Sequence, residues 1–366
     1  MNLDFDRDNI LDQSFRNGSF YENPYPVYKK LRSDAPVLWS ANKAGYYITT
    51  YRYIRTIVEQ YPLYKKFTSS LEFIRNPVVR CEVLNFITQW PFYRNNAYQN
   101  EKVRAQQFIK SNIGKANELI NQYDLTIEEC NLVDSLFIPI ALKSILSVLD
   151  VNENEFDNIL HFSTYILRLM QNDLSLDDES KLKQCIEYFR NLYSEYSHQE
   201  IVDYGVFCNL LIDGYEPLAQ TLTSSILVYP EQQPSKEHVD IFVNEVVRMF
   251  PAFQYLVRYA DCEIQLDNYL LPKDSKMYLV IASANRDETI YNESEQFLYE
   301  RKTKISMSFG RGMHSCMGGK LTHQIVSTFI KTIISSQKQI HINRFSRSVR
   351  FCAGTLFTNE LRGSIN

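Results

Sequence analysis

The sequence has few of the residues that mark disulfide, zinc or multidomain proteins. Its seven cysteines are scattered and include no CxxC pair, so neither a disulfide framework nor a zinc site is predicted. Glycine (11) and proline (12) are too sparse to mark a linker. No apolar run reaches the roughly 18 residues of a membrane helix, and residues 1–8 lack the apolar core of a signal peptide. We therefore expect a single cytoplasmic domain over residues 1–366, with no membrane segment.

The charge balance also excludes one class of partner. The 39 basic and 43 acidic residues are interspersed and give a net charge of -4, which offers no broad attraction for nucleic acid. Apolar residues recur three and four apart over most of residues 102–227, which is typical of helices. Alternating stretches at residues 262–281 and after His341 indicate strands. The predicted class is mainly α with minor β.

The most informative segment is a glycine-rich loop that brings a cysteine, Cys316, to the start of an apolar-periodic run typical of a helix. Glycine permits positive φ and lets the backbone come close to a flat, bulky group. The N-terminus of a helix offers free N–H groups and a dipole that stabilise a thiolate. These features suit a sulfur bound to iron. The alternative is an ordinary loop with a buried cysteine.

This loop resembles the FGxGxHxCxG cysteine-ligand loop of the cytochrome P450 family. The matching residues are Phe309, Gly310, Gly312, His314, Cys316 and Gly318. The resemblance implies haem b (iron protoporphyrin IX) as cofactor, with Cys316 as the metal ligand, Phe309 near the sulfur and His314 bonded to a haem propionate. It also implies the P450 fold, a helical bundle with small β-sheets around a buried haem.

Other segments extend the resemblance. Glu245 and Arg248 resemble the ExxR motif of the helix behind the haem, and Arg301 resembles the arginine that completes this buried network, although Tyr299 replaces a proline there. Breaking a buried charge network of this kind is costly.

Two arginines resemble further cofactor contacts. Arg258 is implied to pair with a haem propionate, a role that suits the bidentate guanidinium. Arg104 matches the arginine of the HxxxR propionate motif, but Asn100 stands in place of its histidine.

The helix that crosses the distal side of the haem departs from the family pattern. Gly214 and Glu216 fit the [AG]Gx[DE]T motif, but Pro217 replaces the threonine that helps to deliver protons. Proline removes a backbone donor and breaks a helix at a cost of ~3 kcal/mol, which indicates a helix already opened there. Glu216 either acts alone as acid/base, with a pKa raised by an apolar pocket, or satisfies backbone groups at the break.

Three functions remain open from the sequence. The first is a P450 monooxygenase of secondary metabolism that uses electrons from ferredoxin and ferredoxin reductase on a small or carrier-bound molecule. The second is a peroxide-using or non-oxygenase haem enzyme, such as a peroxygenase, dehydratase or isomerase, favoured by Pro217. The third is a non-catalytic haem-binding or carrier-docking protein. By resemblance, the predicted substrate-pocket residues are Leu211, Tyr215, Phe253, Tyr255, Leu256 and Phe357.

Overall fold

The computed structural model describes residues 20, 23–67, 71–94, 99–170, 174–175, 178–299, 301, 306–312, 314–352 and 354–366. Residues 1–8, which entered the sequence analysis, lie outside this part. The described residues form two compact units. Unit 1 contains those up to Lys66 with 244–315 and 349–357, and unit 2 contains those of 67–243, 316–348 and 358–366. The single domain over residues 1–366 stays a prediction.

The helices and strands of the described residues have the following bounds. The helices are α1 (Tyr25–Asp34), α2 (Tyr51–Gln60), α3 (Pro77–Thr88), α4 (Gln99–Gln122), α5 (Ile138–Leu149), α6 (Phe156–Met170), α7 (Asp178–Ser194), α8 (Tyr204–Asp213), α9 (Tyr215–Gln232), α10 (Val239–Met249), α11 (Ile281–Ala284) and α12 (Gly319–Ser335). The strands are β1 (Val37–Ser40), β2 (Gly45–Ile48), β3 (Leu63–Tyr64), β4 (Ile127–Asn131), β5 (Leu256–Ala260), β6 (Ile264–Leu266), β7 (Tyr269–Leu271), β8 (Lys276–Leu279), β9 (Ile340–Cys352) and β10 (Thr355–Ile365). Among the described residues, no helix is both long and apolar enough to cross a membrane.

A five-stranded sheet with the order β1-β2-β8-β5-β3 supports unit 1. Strands β2 and β8 run parallel, with Tyr47 opposite Tyr278, and the rings of these two tyrosines stack with centroids 4.5 Å apart. Successive residues of a strand face opposite sides of a sheet. The tyrosines therefore pack with Tyr28 of α1, whereas Ile48 and Leu279 pack on the other side with residues of α2.

The residues after α11 tie the elements of unit 1 together. Arg286 donates from Nη2 to the Met249 carbonyl at 3.0 Å, and its guanidinium lies 3.5 Å from the centre of the Tyr25 ring. The Asp287 carboxylate accepts the backbone N–H of Tyr51, the first residue of α2, at 2.9 Å. Because an acidic oxygen at a helix N-terminus satisfies a free N–H, Asp287 fixes where α2 begins.

Unit 2 is built mostly from helices. Helix α5 is apolar over most of its length, and it packs between α4 and α9. Helix α8 begins at a carboxylate cap, since Asp203 Oδ1 accepts the N–H of Val206 at 3.0 Å. The other carboxylate oxygen pairs with Arg94 at 3.0 Å. The start of α8 is thereby held to the segment that follows α3.

The predicted class, mainly α with minor β, is confirmed. The middle of the chain differs from the mostly helical expectation in one place, where β4 occupies Ile127–Asn131. This strand pairs antiparallel with β10, with Asn131 opposite Arg362. Its partner lies more than 200 residues away, so local periodicity carries no signal for this strand.

Candidate functional site

The loop before Cys316 folds as two tight glycine turns in unit 1. The N–H of Gly310 donates to the Met307 carbonyl at 2.8 Å, and Gly310 and Gly312 have φ of 64° and 71°. A Cβ on Gly312 would lie 2.7 Å from the carbonyl oxygen of Val58 in α2. Both the left-handed backbone and the close approach to α2 therefore require glycine at position 312.

An asparagine holds the start of this loop. The side-chain oxygen of Asn285 accepts the N–H of Met307 at 2.7 Å, and its amide nitrogen donates to Ser308 Oγ at 2.8 Å. The Ser308 hydroxyl in turn donates to the Val247 carbonyl of α10 at 2.6 Å. Asn285 is fully buried. Asn285 was not among the predicted site residues.

Cys316 belongs to unit 2, where it precedes the first residue of α12. Its side chain is exposed, yet it lies deep enough among protein atoms that burial raises the pKa of the thiol. Hydrogen bonds from the N–H groups of Gly318 and Gly319 and the charge of Lys102 lower this pKa, whereas the charge of Asp213 raises it. The sulfur therefore sits at a helix N-terminus whose donors favour the thiolate.

Unit 1 contains a cleft that collects positive charge beside apolar walls. The cleft opens to solvent, and its empty volume of about 630 Å³ includes part of that solvent. Arg258, Arg311 and His314 line it together with Gly310, and its other lining residues are Ile54, Val58, Tyr61, Pro62, Leu63, Leu256, Leu279, Ile281 and Met307. A flat apolar group with carboxylate substituents suits such a lining, because the walls cover its faces and the cations bind its charges.

The cations of this cleft are fixed in place. Arg258 is buried and donates from Nη1 to the Val257 carbonyl at 2.7 Å. Arg311 pairs with Glu59 at 3.2 Å and donates to the Tyr51 hydroxyl at 2.9 Å, both on α2. No local pattern predicts the pairs made by Arg311, because its partners lie some 250 residues earlier in the chain.

The structure brings Glu245, Arg248 and Arg301 together in unit 1. Arg248 Nε lies 2.5 Å from Glu245 Oε2, and Arg301 Nε lies 2.8 Å from Glu245 Oε1. Glu245 Oε1 also accepts the N–H of Leu298 at 3.0 Å. Arg248 donates further to three backbone carbonyls, those of Asn285 (2.9 Å), Ser294 (2.8 Å) and Gln296 (3.0 Å). The network therefore ties α10 to the chain segment 285–301.

The charge state of this network follows from its contacts. Burial by itself raises the pKa of Glu245, but the hydrogen bonds from Arg248 and Arg301 outweigh burial and hold the pKa below its ordinary value. All three side chains are less than 10% exposed. Glu245 is thus a buried carboxylate that stays ionised because two guanidinium groups and a backbone N–H bind it.

The distal helix is broken at the predicted position. Helix α8 ends at Asp213 and α9 begins at Tyr215, with Gly214 between them. A Cβ on Gly214 would lie 2.4 Å from the Leu210 carbonyl oxygen, so a larger residue would clash at the break. Pro217 is the third residue of α9, where a helical N–H has no partner within its own helix, and proline is therefore tolerated.

Glu216 is half-buried in the same first turn of α9. A carboxylate there is favoured by the free N–H groups and the dipole of the helix N-terminus. One turn later, the Thr221 hydroxyl donates to the Pro217 carbonyl at 2.8 Å. The acid/base role of Glu216 stays a prediction.

Arg104, predicted to contact a haem propionate, lies on α4. It is exposed, and its Nη1 atom lies 3.5 Å from the Glu200 carbonyl oxygen. Lys102 and Ala105 lie on the buried side of this helix. The contact of Arg104 with a propionate stays a prediction.

The predicted pocket residues divide into two groups. Leu256 lines the cationic cleft. Tyr255, next to it in the chain, faces the opposite way and packs in the aromatic core, with ring centroids 5.2 Å from Tyr278 and 6.2 Å from Tyr47. The alternation of side chains leading into β5 explains the difference, and a contact of Tyr255 with a substrate stays a prediction.

The other four pocket candidates are packed in the structure. Leu211 is fully buried in α8, and the Tyr215 hydroxyl lies 3.2 Å from Ser163 Oγ of α6. The backbone of Phe253 forms an isolated antiparallel β-bridge with that of Thr355, and Phe357 is 7% exposed. Their contact with a substrate stays a prediction.

Comparison with known proteins agrees with this architecture. The family model described as Cytochrome P450 matches residues 236–338. The biotin biosynthesis cytochrome P450 of Bacillus subtilis is 21% identical over 394 residues, which covers 96% of this chain and 98% of the relative. Cytochrome P450 119 of Sulfolobus acidocaldarius is 20% identical and covers 81% of this chain and 87% of its own length.

A solved structure shows the same fold. The crystal structure of P450BioI in complex with hexadec-9Z-enoic acid ligated acyl carrier protein superimposes with a TM-score of 0.79 at 18% identity, covering 95% of this chain and all of that chain. The fold, the cysteine at a helix N-terminus and the cationic cleft fit a haem-thiolate protein. Residues 236–338 thus match the cytochrome P450 family model, and the chain has the fold of that family, whose members bind haem b and are monooxygenase oxidoreductases.

Proposed function

We propose that this protein is a haem-thiolate monooxygenase of secondary metabolism that oxidises a small molecule, free or bound to a carrier, and that Cys316 would hold the haem iron. The observation that carries the proposal is the Cys316 sulfur, which accepts hydrogen bonds from two N–H groups at the start of α12. Such donors stabilise the anionic form in which sulfur binds iron.

Different residues of the chain would bind different parts of the cofactor at such a site. When bound, haem b supplies the iron centre for oxygen activation and transfer. Cys316 would hold the iron through its sulfur, and the N–H groups of Gly318 and Gly319 would spread the negative charge of that sulfur. Arg258 and His314 would bind the haem propionates. Phe309 shields the sulfur from water, as the family resemblance implies.

Proton delivery rests on Glu216 in this proposal. Pro217 has no hydroxyl, so the carboxyl oxygen of Glu216 is the group in the first turn of α9 that can take a proton from solvent and pass it on. The Thr221 hydroxyl is engaged with the Pro217 carbonyl. Ferredoxin and ferredoxin reductase are proposed as the electron donors.

The broken distal helix favours a second candidate function. Proton delivery matters most when O₂ is the oxidant, and a chain that uses peroxide needs less of it. Pro217 replaces the threonine of the family pattern, and the helix is interrupted at Gly214. A peroxide-using or non-oxygenase enzyme is therefore the alternative, and a non-catalytic haem-binding protein is the third possibility.

The substrate proposal draws on the known relatives. One relative acts in biotin biosynthesis, and the P450BioI structure holds an acyl carrier protein that bears a fatty acid. Another, from Streptomyces fradiae, is a 20-oxo-5-O-mycaminosyltylactone 23-monooxygenase, 23% identical over 58% of this chain. We therefore propose fatty acyl chains, aromatic amino acids and carrier-bound peptides as the first ligands to screen by difference spectroscopy.

Spectroscopy of the purified chain tests the ligand assignment. We expect the haem-loaded protein to show, in its reduced carbonyl complex, the red-shifted Soret band of thiolate ligation. Cys316→His should abolish that band, whereas the control Cys81→Ser, at an exposed cysteine, should keep it. An unchanged spectrum in Cys316→His would show that another residue binds the iron.

Turnover distinguishes the three functions. Product formation with O₂ and an electron-donor system supports the monooxygenase. Product formation with peroxide alone supports the peroxide-using alternative. A ligand that shifts the spectrum but is converted under neither condition supports a non-oxygenase or binding protein.

A further inference from the structure

Three cationic side chains line the cleft of unit 1, and the family pattern specifies only two of them. Arg258 and His314 occupy positions that the resemblance assigns to haem propionates. Arg311 is the variable residue between the first two glycines of the FGxGxHxCxG loop, where the pattern sets no residue type. Its side chain is 21% exposed and lines the same cleft. The structure therefore adds a cation to the cleft that the motif does not specify.

The backbone fixes where the Arg311 side chain begins. The flanking residues, Gly310 and Gly312, have φ of 64° and 71°. At Gly312 the loop comes so close to α2 that a Cβ would lie 2.7 Å from the Val58 carbonyl oxygen. Val58 is itself one of the residues that line the cleft. Arg311 is therefore held against the wall of the cleft to which α2 contributes.

Two contacts with α2 hold the guanidinium group. Arg311 donates from Nη2 to the Tyr51 hydroxyl at 2.9 Å and from Nη1 to Glu59 Oε1 at 3.2 Å. The other oxygen of the same carboxylate accepts the Nε–H of Arg55 at 2.9 Å. Two arginines thus share one carboxylate, and these three side chains together keep a net positive charge. A carboxylate on a ligand in the cleft would balance that charge.

Arginine suits a position that has to serve several acceptors. A guanidinium carries five N–H donors in a planar fork, so it can bind a ligand carboxylate while it keeps its contacts with Tyr51 and Glu59. The apolar residues Ile54, Leu279 and Met307 line the same cleft. Charge-assisted hydrogen bonds are stronger beside such walls than in open water.

We propose that Arg311 is a further cofactor-binding residue of this chain, whose guanidinium, held by Tyr51 and Glu59, binds a haem propionate together with Arg258 and His314. This role rests on the proposed function, because it requires the cleft to take the propionates of haem b. Arg311 then retains the cofactor. A side chain that merely clamped the loop to α2 would depend on Glu59 as much as on its own guanidinium, so substitutions of the two residues separate the roles.

The first test measures haem release from full-length holoprotein by transfer to apomyoglobin. Arg311→Met removes the guanidinium, whereas Glu59→Gln removes its acidic partner and keeps the guanidinium. The control is Arg55→Met, because Arg55 binds the same carboxylate from an exposed position on α2. For Arg311→Met we expect haem release to become about tenfold faster or more. Glu59→Gln should release haem no faster than the parent, and Arg55→Met should match the parent.

The second test identifies the group that Arg311 binds. The parent and Arg311→Met are reconstituted with haem dimethyl ester, in which both propionates are esterified and uncharged. We expect the two proteins to release this ester at rates within about twofold of each other, because the charge-assisted hydrogen bond cannot form with either. A difference as large as that seen with haem itself would show that Arg311 acts on the protein and not on a propionate.

Two results of the first test would overturn the inference. One is equal haem release from the parent and Arg311→Met. The other is equally accelerated release from Arg311→Met and Glu59→Gln, which would make Arg311 a clamp between the loop and α2. Should Arg311→Met fail to fold, Arg311→Gln is read by the same criteria. A haem-loaded parent protein without the thiolate band contradicts the proposed function itself, so the two failures are distinguishable.

Discussion

Arg248 holds the backbone of Asn285, with its Nη1 atom 2.9 Å from the Asn285 carbonyl oxygen. The side-chain amide of Asn285 then binds Met307 and Ser308, the first residues of the loop that leads to Cys316. Asn285 thus connects the buried ion network to the cysteine loop. A substitution in the ion network should therefore alter the stability of the loop, and the reverse.

Asn285→Asp tests this connection. The aspartate keeps an oxygen for the Met307 N–H but loses the donor to Ser308 and adds a buried charge. We expect a loss of about 1–3 kcal/mol in the free energy of unfolding and faster haem release. Chemical denaturation and haem transfer to apomyoglobin measure the two effects. The exposed Asn191→Asp should change neither. Equal haem release in both variants would mean that Asn285 does not support the loop.

Glu245→Gln tests the ion network. The glutamine keeps the shape but leaves Arg248 and Arg301 without their buried counter-charge. We expect a loss of ~3–5 kcal/mol, a large part of a total stability of ~5–15 kcal/mol, and a low yield of holoprotein. The control is Glu187→Gln in the exposed pair with Lys183, where at most about 1 kcal/mol is expected. A melting temperature within error of the parent would contradict the buried arrangement.

The depressed pKa of Glu245 predicts a pH dependence of stability. A carboxylate whose pKa is lower in the folded than in the unfolded protein contributes stability that is fully present above the unfolded pKa. That contribution is lost as the pH falls from the ordinary value of about 4.5 through the folded pKa. The stability difference between parent and Glu245→Gln should therefore be constant near neutral pH and shrink in acid. A difference that does not change with pH would show that Glu245 is not ionised.

Glu216→Gln separates a proton-transfer role from a structural one. The amide keeps the hydrogen-bonding capacity of the side chain but cannot supply a proton. If Glu216 delivers protons, donor-driven turnover should fall about 10²-fold or more, with haem content and ligand-induced spectral shifts retained. The control is Glu231→Gln, near the end of α9. A fall in melting temperature with full activity per haem would assign Glu216 to the structure of the helix start.

Pro217→Thr restores a hydroxyl and an N–H at the break between α8 and α9. We expect the fraction of consumed electrons released as hydrogen peroxide to fall, because the hydroxyl assists proton delivery. Peroxide formed per NADPH consumed is the measurement, and it needs no knowledge of the substrate. Pro230→Ala is the control at the other proline of α9. If peroxide release does not fall, the peroxide-using or non-oxygenase alternative gains support.

The structure of short contiguous motifs could be predicted from the sequence, because it depends mainly on neighbouring residues. The turns at Gly310 and Gly312 need positive φ, and the chain order alone brings Cys316 to the start of α12. The break at Gly214 was also predictable, since proline at position 217 cannot continue an existing helix. Likewise, Glu245 and Arg248 lie on one face of α10 by their spacing.

Other features were decided by tertiary packing. Whether Lys102 or Arg104 faces inward depends on the phase of α4 against α12, which side chains some 200 residues apart establish. Arg311 finds Glu59 and Tyr51 on α2, and β4 becomes a strand only because β10 pairs with it.

The sequence by itself determined the class of protein, the position of the cysteine at the helix start and the break between α8 and α9. Each depends on a few adjacent residues that require a particular backbone conformation. Only the tertiary structure decided that Lys102 rather than Arg104 is buried on α4 and how Asn285 supports the loop. Helix phase and long-range hydrogen bonds depend on the packing of the whole core, and no local pattern encodes them.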